Sequence, residues 1–323
     1  VSNDNASLFS SAPSVNSSGT LTFTPASNEN GSTTVTVSVS DNGGTSNGGD
    51  NISPNQIFTI TVTAVNDEPS FTKGLDITVN EDSGTSTTAT WATSISAGPS
   101  NESNQSLTFN VSNDNASLFS SAPSVHSSGT LTFTPASNEN GSATVTISLS
   151  DNGGTSNGGD NISPNQTFTI TVTAVNDEPS FTKGLDITVI EDSGASTTAT
   201  WATSISAGPS NESSQSLTFN VSNDNTSLFS NAPFISSAGT LTFTPASDAN
   251  GSATVTVSVS DNGGTSNGGD NISPNQTFTI TVIAVDDSPI VSSAISNQTV
   301  NEDASNTTID LTSVFTDVDN DDS

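Results

Sequence analysis

Asn140-Gly-Ser-Ala-Thr-Val-Thr-Ile-Ser-Leu-Ser150 decides the fold. From Ala143 to Leu149 every second residue is apolar, and threonine or serine fills the places between. A period of two is a strand with one face in a core and the other in water. Asn138-Glu139-Asn140-Gly141 is a turn that feeds it. The stretch returns, slightly altered, at 250–260 and at 30–40.

The same alternation extends to both sides. Leu131 and Phe133 alternate with threonines over Thr130 to Thr134, as Phe168, Ile170 and Val172 do further on. Over residues 66–175 the pattern predicts seven short strands. The first is broken at Gly74 (Pro69 to Phe71, then Leu75 to Val79). The second runs Thr87 to Thr93 around Trp91, and the third holds Leu107, Phe109 and Val111. The fourth is short, Ser117 to Phe119; the fifth, sixth and seventh are the three alternating runs above. No segment has a helical period. One apolar and one Thr/Ser face per strand is what two packed sheets require. The fold class is therefore all-β: tandem seven-stranded Greek-key sandwiches, with Trp91 and Trp201 as core anchors.

The chain is an array. Residues 66–175 and 176–285 align without a gap and differ at 14 of 110 positions. Ala-Val-Asn-Asp-Glu-Pro-Ser-Phe stands at 64–71 and 174–181, and Ala284-Val-Asp-Asp-Ser-Pro-Ile290 is a third version. A period longer than a solenoid repeat means that each unit is a domain. The predicted divisions are 1–65, the C-terminal part of a repeat; 66–175 and 176–285, complete repeats; and 286–323, the N-terminal part of a divergent one. Each Asn-Asp-Glu-Pro reads as a joint, because proline does not extend a central ladder.

Thirty-three acids against two lysines and no arginine leave a net charge of −31. Such a surface repels nucleic acid and anionic membrane and attracts cations. Cysteine and methionine are absent, so no disulfide framework exists; freedom from oxidisable sulfur suits an extracellular setting. No apolar run approaches the roughly 18 residues of a membrane span. Val1 falls in mid-repeat, so the chain reads as a cropped segment of something longer. The rival is a head-to-tail fibre of copies, in which the strands of 286–323 complete those of 1–65.

The run Gly129-Thr-Leu-Thr-Phe-Thr-Pro-Ala136, then Asn140 to Ile147, Asp151-Asn-Gly-Gly154 and Val175-Asn-Asp-Glu-Pro179, resembles the cadherin-like (Ig-like) tandem repeats of giant bacterial extracellular adhesins. That resemblance implies a non-enzymatic stalk at the cell surface or outside the cell, with calcium between consecutive domains and neighbouring repeats as its partners.

The acids fit that implication independently. In a Greek-key sandwich, the loops after strands one and five share one pole and those after strands two and six share the other. Between the complete repeats this gathers Glu81, Asp82 and Glu139 from one side, Asp177 and Glu178 from the linker, and Glu212 and Asp261 from the other side. Before the first complete repeat the matching residues are Asp67, Glu68, Glu102 and Asp151. The third joint is richest, with Glu191, Asp192 and Asp248 facing Asp286, Asp287, Asp317 and Asp319, and Asp321 beyond. Calcium takes six to eight oxygen ligands; magnesium keeps more water, and zinc wants Cys or His. The loop Asp151 to Asn165 reads as flexible, the alternative being a small calcium site of Asp151, Asn152, Asp160 and Asn161. A glycan- or protein-binding module acting through these Gly/Asn loops is the rival function. No catalytic activity is expected: His126 aligns with Ser236 and Asn16, and the pair Glu81-Asp82 recurs as an array feature.

Overall fold

The structure is a computed structural model and describes residues 1–319. The chain divides into two compact units, Val1–Ala174 and a second from Val175 onward.

In the first unit the complete repeat has nine strand segments. They are β1 (Ser70–Thr72), β2 (Ile77–Asn80), β3 (Ser86–Thr88), β4 (Thr93–Ser96), β5 (Thr108–Asn113), β6 (Phe119–Val125), β7 (Leu131–Pro135), β8 (Gly141–Ser150) and β9 (Gln166–Thr173). One sheet has the order β5-β8-β9-β2, with β2 parallel to β9 and the other pairs antiparallel. The facing sheet is β6-β7-β3, and β1 pairs with β4. Among the described residues the only helices are three-residue 3-10 turns. None is long and apolar enough to cross a membrane.

The alternation read from the sequence packs as expected. Ala143, Val145, Ile147 and Leu149 of β8 are buried, as are Phe168, Ile170 and Val172 of β9. They meet Leu131, Phe133 and Phe119 from the other sheet, and Leu118 just before it, in one core. Trp91 anchors that core: it is buried, its ring centroid lies 4.3 Å from that of Phe168, and its indole N–H donates to the Leu75 carbonyl at 2.9 Å. Gly74 has a reason beyond a strand break. A Cβ there would stand 2.5 Å from the Trp91 indole, so the ring occupies the space of the missing side chain.

Two strand expectations need correction. Trp91 lies in the turn between β3 and β4, where Thr90 takes φ 51°, and not in one continuous strand. The fourth strand is Phe119–Val125, because Ala116–Leu118 forms a 3-10 turn. Its sequence, Phe-Ser-Ser-Ala-Pro-Ser-Val, hides the period: two register shifts interrupt its pairing with β7. Pro123 is tolerated because β6 is an edge strand.

The second unit repeats the pattern. Its sheets are Thr218–Asn223, Gly251–Ser260, Gln276–Ile283 and Ile187–Ile190 in one, and Phe229–Ile235, Leu241–Pro245 and Ser196–Thr198 in the other. Residues 1–65 hold counterparts of β5 to β9 alone, around a small core of Leu8, Phe9, Val35 and Ile60. Phe23 is accordingly 39% exposed, against 2% for its counterpart Phe133. At the other end Ile290–Val291 pairs with Phe315–Thr316, as β1 pairs with β4.

Candidate cation sites at the repeat poles

The strand directions sort the acids to the two poles of each sandwich. At the pole where residues 66–69 enter, Glu102 closes the 3-10 turn Ser100–Glu102 between β4 and β5, and Asp151 follows β8. Glu102 is buried; its Oε1 accepts the Asp67 backbone N–H at 2.9 Å, and its Oε2 meets no donor. Gly98, at φ 146°, lets this carboxylate in, since a Cβ there would lie 2.1 Å from Oε2. Asp151 is buried too. Its Oδ1 accepts from Asn66 Nδ2 at 3.0 Å and from the Gly153 N–H at 2.9 Å, and its Oδ2 meets no donor. Gln105 Nε2 donates to Asn66 Oδ1 at 2.7 Å, leaving its own Oε1 buried and bare. Asp67 and Glu68 are exposed.

The loop after β8 is not loose. Its ends are zipped: the Asp151 N–H donates to the Asn161 carbonyl at 3.1 Å, and the Ser163 N–H to the Leu149 carbonyl at 2.8 Å. Its middle wraps Asn66, which donates to the Asp160 carbonyl at 2.6 Å. Cβ atoms at Gly153 and Gly159 would collide with Asn66. The long glycine-rich loop is a socket for a linker asparagine, which is why it recurs unchanged. The second unit builds the same socket from Asn176, Asp261, Gln215 and Glu212, whose Oε1 accepts the Asp177 N–H at 2.9 Å. Glu178 is exposed.

At the opposite pole of the first unit, Glu81 follows β2. Its N–H donates to the Thr173 carbonyl, its side chain is buried, and its Oε2 accepts from Asn140 Nδ2 at 3.3 Å. Asp82, next to it in sequence, and Glu139, next to Asn140, are exposed.

The corresponding pole of the second unit gathers a cluster of carboxylates among the described residues. Glu191 is 2% exposed; its Oε1 accepts the Val285 N–H at 2.6 Å, and its Oε2 meets no donor. Carboxylate oxygens of Asp192, Asp248 and Asp287 lie within 4.8 Å of one another. Asp192 and Asp248 both stand at φ 56° on tight turns that aim them at this point. The Asp287 N–H donates to Asp319 Oδ2, and the Asp319 N–H to Asp317 Oδ1 at 3.1 Å, so the segment bearing Asp317 and Asp319, which follows the strand Phe315–Thr316, is tied to the linker. Asp287 Oδ2 is buried without a partner. Burial, then the charges of Asp192, Asp319, Asp248 and Glu191, push the Asp287 carboxyl above its ordinary value. Asp286 is exposed, and Asp321 lies outside the described residues.

A donor set of carboxylates and carbonyls, with bare buried oxygens and no Cys or His nearby, fits a hard cation with oxygen ligands. Buried carboxylate oxygens without donors are costly unless such a charge satisfies them. Sequence reading found the carboxylates but missed Asn66, Gln105 and Asn140, whose amides hold them; the one available signal was that all three recur at the 110-residue period.

Residues 2–53 match the family model of a bacterial Ig domain. The same stretch recurs, little changed, at 112–163 and 222–273. The comparison with curated proteins returned no match. Among solved structures, the chain is similar to EC1–3 of mouse protocadherin-24, at 14% identity over 87% of this chain and 88% of that one, with a TM-score of 0.42. It is similar also to EC1–4 of Drosophila N-cadherin, at 12% identity over 88% and 66%, TM-score 0.32. The human desmocollin-1 ectodomain follows at 14% over 87% and 53%, TM-score 0.35. Its two-sheet topology and the matched stretch make the repeat of this chain an Ig-like β-sandwich.

Proposed function

We propose that the chain is a run of structural repeats from a bacterial extracellular adhesin or fibre, stiffened by calcium where one repeat meets the next. The observation that carries this reading is the meeting of Asp192, Asp248 and Asp287 beside Glu191, with buried, donorless oxygens on Asp287 and Glu191. Calcium there would neutralise charges that otherwise repel. Glu191 and Asp192 belong to one edge of the sandwich, Asp248 to another, Asp287 to the linker and Asp319 to the segment that follows. One ion would therefore tie four pieces of chain. Asp286 and Asp317 extend the same acidic wall. The divisions proposed for the array are 1–65, 66–175, 176–285 and 286–323.

The same role is proposed for the other poles. Glu102, Asp151, Asp67 and Glu68 would serve the pole of the first complete repeat, and Asp177, Glu178, Glu212 and Asp261 that of the second. Glu81, Asp82 and Glu139 form a counterpart of the 191–192–248 edge with the same number of charges, Asn138-Glu139 standing where the second repeat has Asp248-Ala249. Support for an extracellular bacterial setting comes from the bacterial Ig match and the sulfur-free, acidic composition.

Small-angle scattering with calcium and then with chelator tests the proposal. It predicts a well-defined maximum dimension with calcium and a broadened distribution without it. An identical distance distribution in both conditions contradicts calcium stiffening.

A further inference from the structure

The two complete repeats are nearly identical, so the places where they differ are informative. Three of the 14 differences fall on the outer face of one sheet: Thr85 becomes Ala195, Ser121 becomes Asn231 and Ser124 becomes Phe234. In the first repeat this face is closed by hydroxyl pairs. Thr85 Oγ1, just before β3, meets Thr134 Oγ1 of β7 at 2.9 Å, and Ser124 Oγ meets Thr132 Oγ1 at 3.0 Å across β6 and β7. Residues 1–65 keep the second pair, Ser14 with Thr22 at 3.2 Å.

In the second complete repeat both pairs are gone. Ala195 has no hydroxyl, and the Asn231 amide takes over Thr244, donating to its Oγ1 at 3.2 Å. Phe234 stands opposite Thr242 and is 59% exposed. A groove of about 470 Å³ opens between Ser196–Thr198 and Phe229–Ile235, with Thr242 and Thr244 on its floor. A lone exposed phenylalanine needs no explanation. Here, however, an aromatic platform and an amide arrive together beside the hydroxyls of Thr197 and Thr242, by substitutions that remove what covered the same face elsewhere.

None of the groove's lining residues is charged, in a chain of net charge −31. The surrounding field excludes polyanions, and the groove offers a cation no carboxylate. What it offers is a flat π-face, with hydroxyl and amide groups around its rim. The matching ligand is a neutral ring with a C–H face and a hydroxyl edge. Its polarised C–H groups face the negative ring quadrupole, and its hydroxyls exchange hydrogen bonds with Asn231, Thr197 and Thr242. We propose that the groove around Phe234 and Asn231 is a subsite for a pyranose ring of a neutral polysaccharide, acquired by one repeat of the array.

The test is binding of the whole chain to immobilised neutral oligosaccharides (β-glucan, mannan, xylan and galactan series), with alginate and hyaluronate alongside. F234S and N231S restore residues that the first repeat already carries, so both preserve the fold. F234S is expected to weaken binding at least tenfold, and N231S several-fold. The triple substitution T85A/S121N/S124F is expected to double the number of sites. The proposal is overturned if no neutral glycan binds, if F234S binds as well as the parent, or if anionic glycans bind better. It is overturned also if Phe234 proves to mediate self-association, seen as a concentration-dependent mass that F234S abolishes; that result would assign the face to a second copy.

Discussion

Glu191 allows a prediction whose sign reverses with calcium. The side chain is 2% exposed and holds one backbone hydrogen bond through Oε1, while Oε2 is bare. Glu191→Gln keeps the shape and the Oε1 acceptor and removes the charge. Without metal, the parent buries a carboxylate that has too few donors beside other carboxylates. Relief of that burden is worth about 1–3 kcal/mol. For a domain of this size the melting midpoint of the second unit should rise by roughly 5–15 °C in chelator. With calcium the sign inverts. A divalent ion about 2.4 Å from a carboxylate oxygen is held by about 3 kcal/mol even at the dielectric of water, and an amide forfeits most of that. Calcium affinity should fall roughly 10- to 100-fold. The assay is thermal unfolding of the whole chain in chelator and in calcium, with isothermal titration for affinity. Asp303→Asn, which removes an exposed charge at a position whose φ of 62° suits asparagine, is the control. Destabilisation in chelator, or an affinity loss no greater than that of the control, would refute the reasoning.

Three further outcomes follow from the same structure. Asn66→Ala empties the socket and strips Asp151 of a donor; a loss of about 1–3 kcal/mol is expected, with faster hydrogen exchange at the Gly153 and Asp160 amides. Gly74→Ala forces a methyl group against the Trp91 indole, and denaturant unfolding should show a loss of roughly 1–3 kcal/mol. Asp287 should titrate above the ordinary aspartate range in chelator, as followed by carboxyl carbon shifts in NMR. Because its folded value is raised, ionised Asp287 opposes the metal-free fold at neutral pH, and that opposition is relieved as pH falls through the folded value. With calcium present, the titration should move to lower pH.

The strands that were legible in the sequence are those with one wet and one dry face. β8 and β9 were read closely because Thr/Val and Thr/Ile alternation follows directly from burial on one side. β6 was nearly invisible: its bulges shift the period, and its Pro123 and serines resemble a loop. The turn at Trp91 was hidden because its driving force is the indole seat over Gly74, a contact 17 residues apart in sequence. The acids were legible as a set, since strand polarity alone assigns each loop to a pole. Their hydrogen-bond partners were not. Nothing local in Asp151 to Asn165 reveals that its glycines leave room for Asn66, more than 80 positions earlier. A glycine-rich loop and a glycine-lined socket have the same composition, and only the tertiary fold separates them.

Anomalous diffraction from crystals of the chain grown with calcium tests the central claim most directly. The account predicts a calcium peak about 2.3–2.6 Å from carboxylate oxygens of Asp192, Asp248 and Asp287. Well-ordered density for those three side chains with water alone between them, and no anomalous signal, would contradict it.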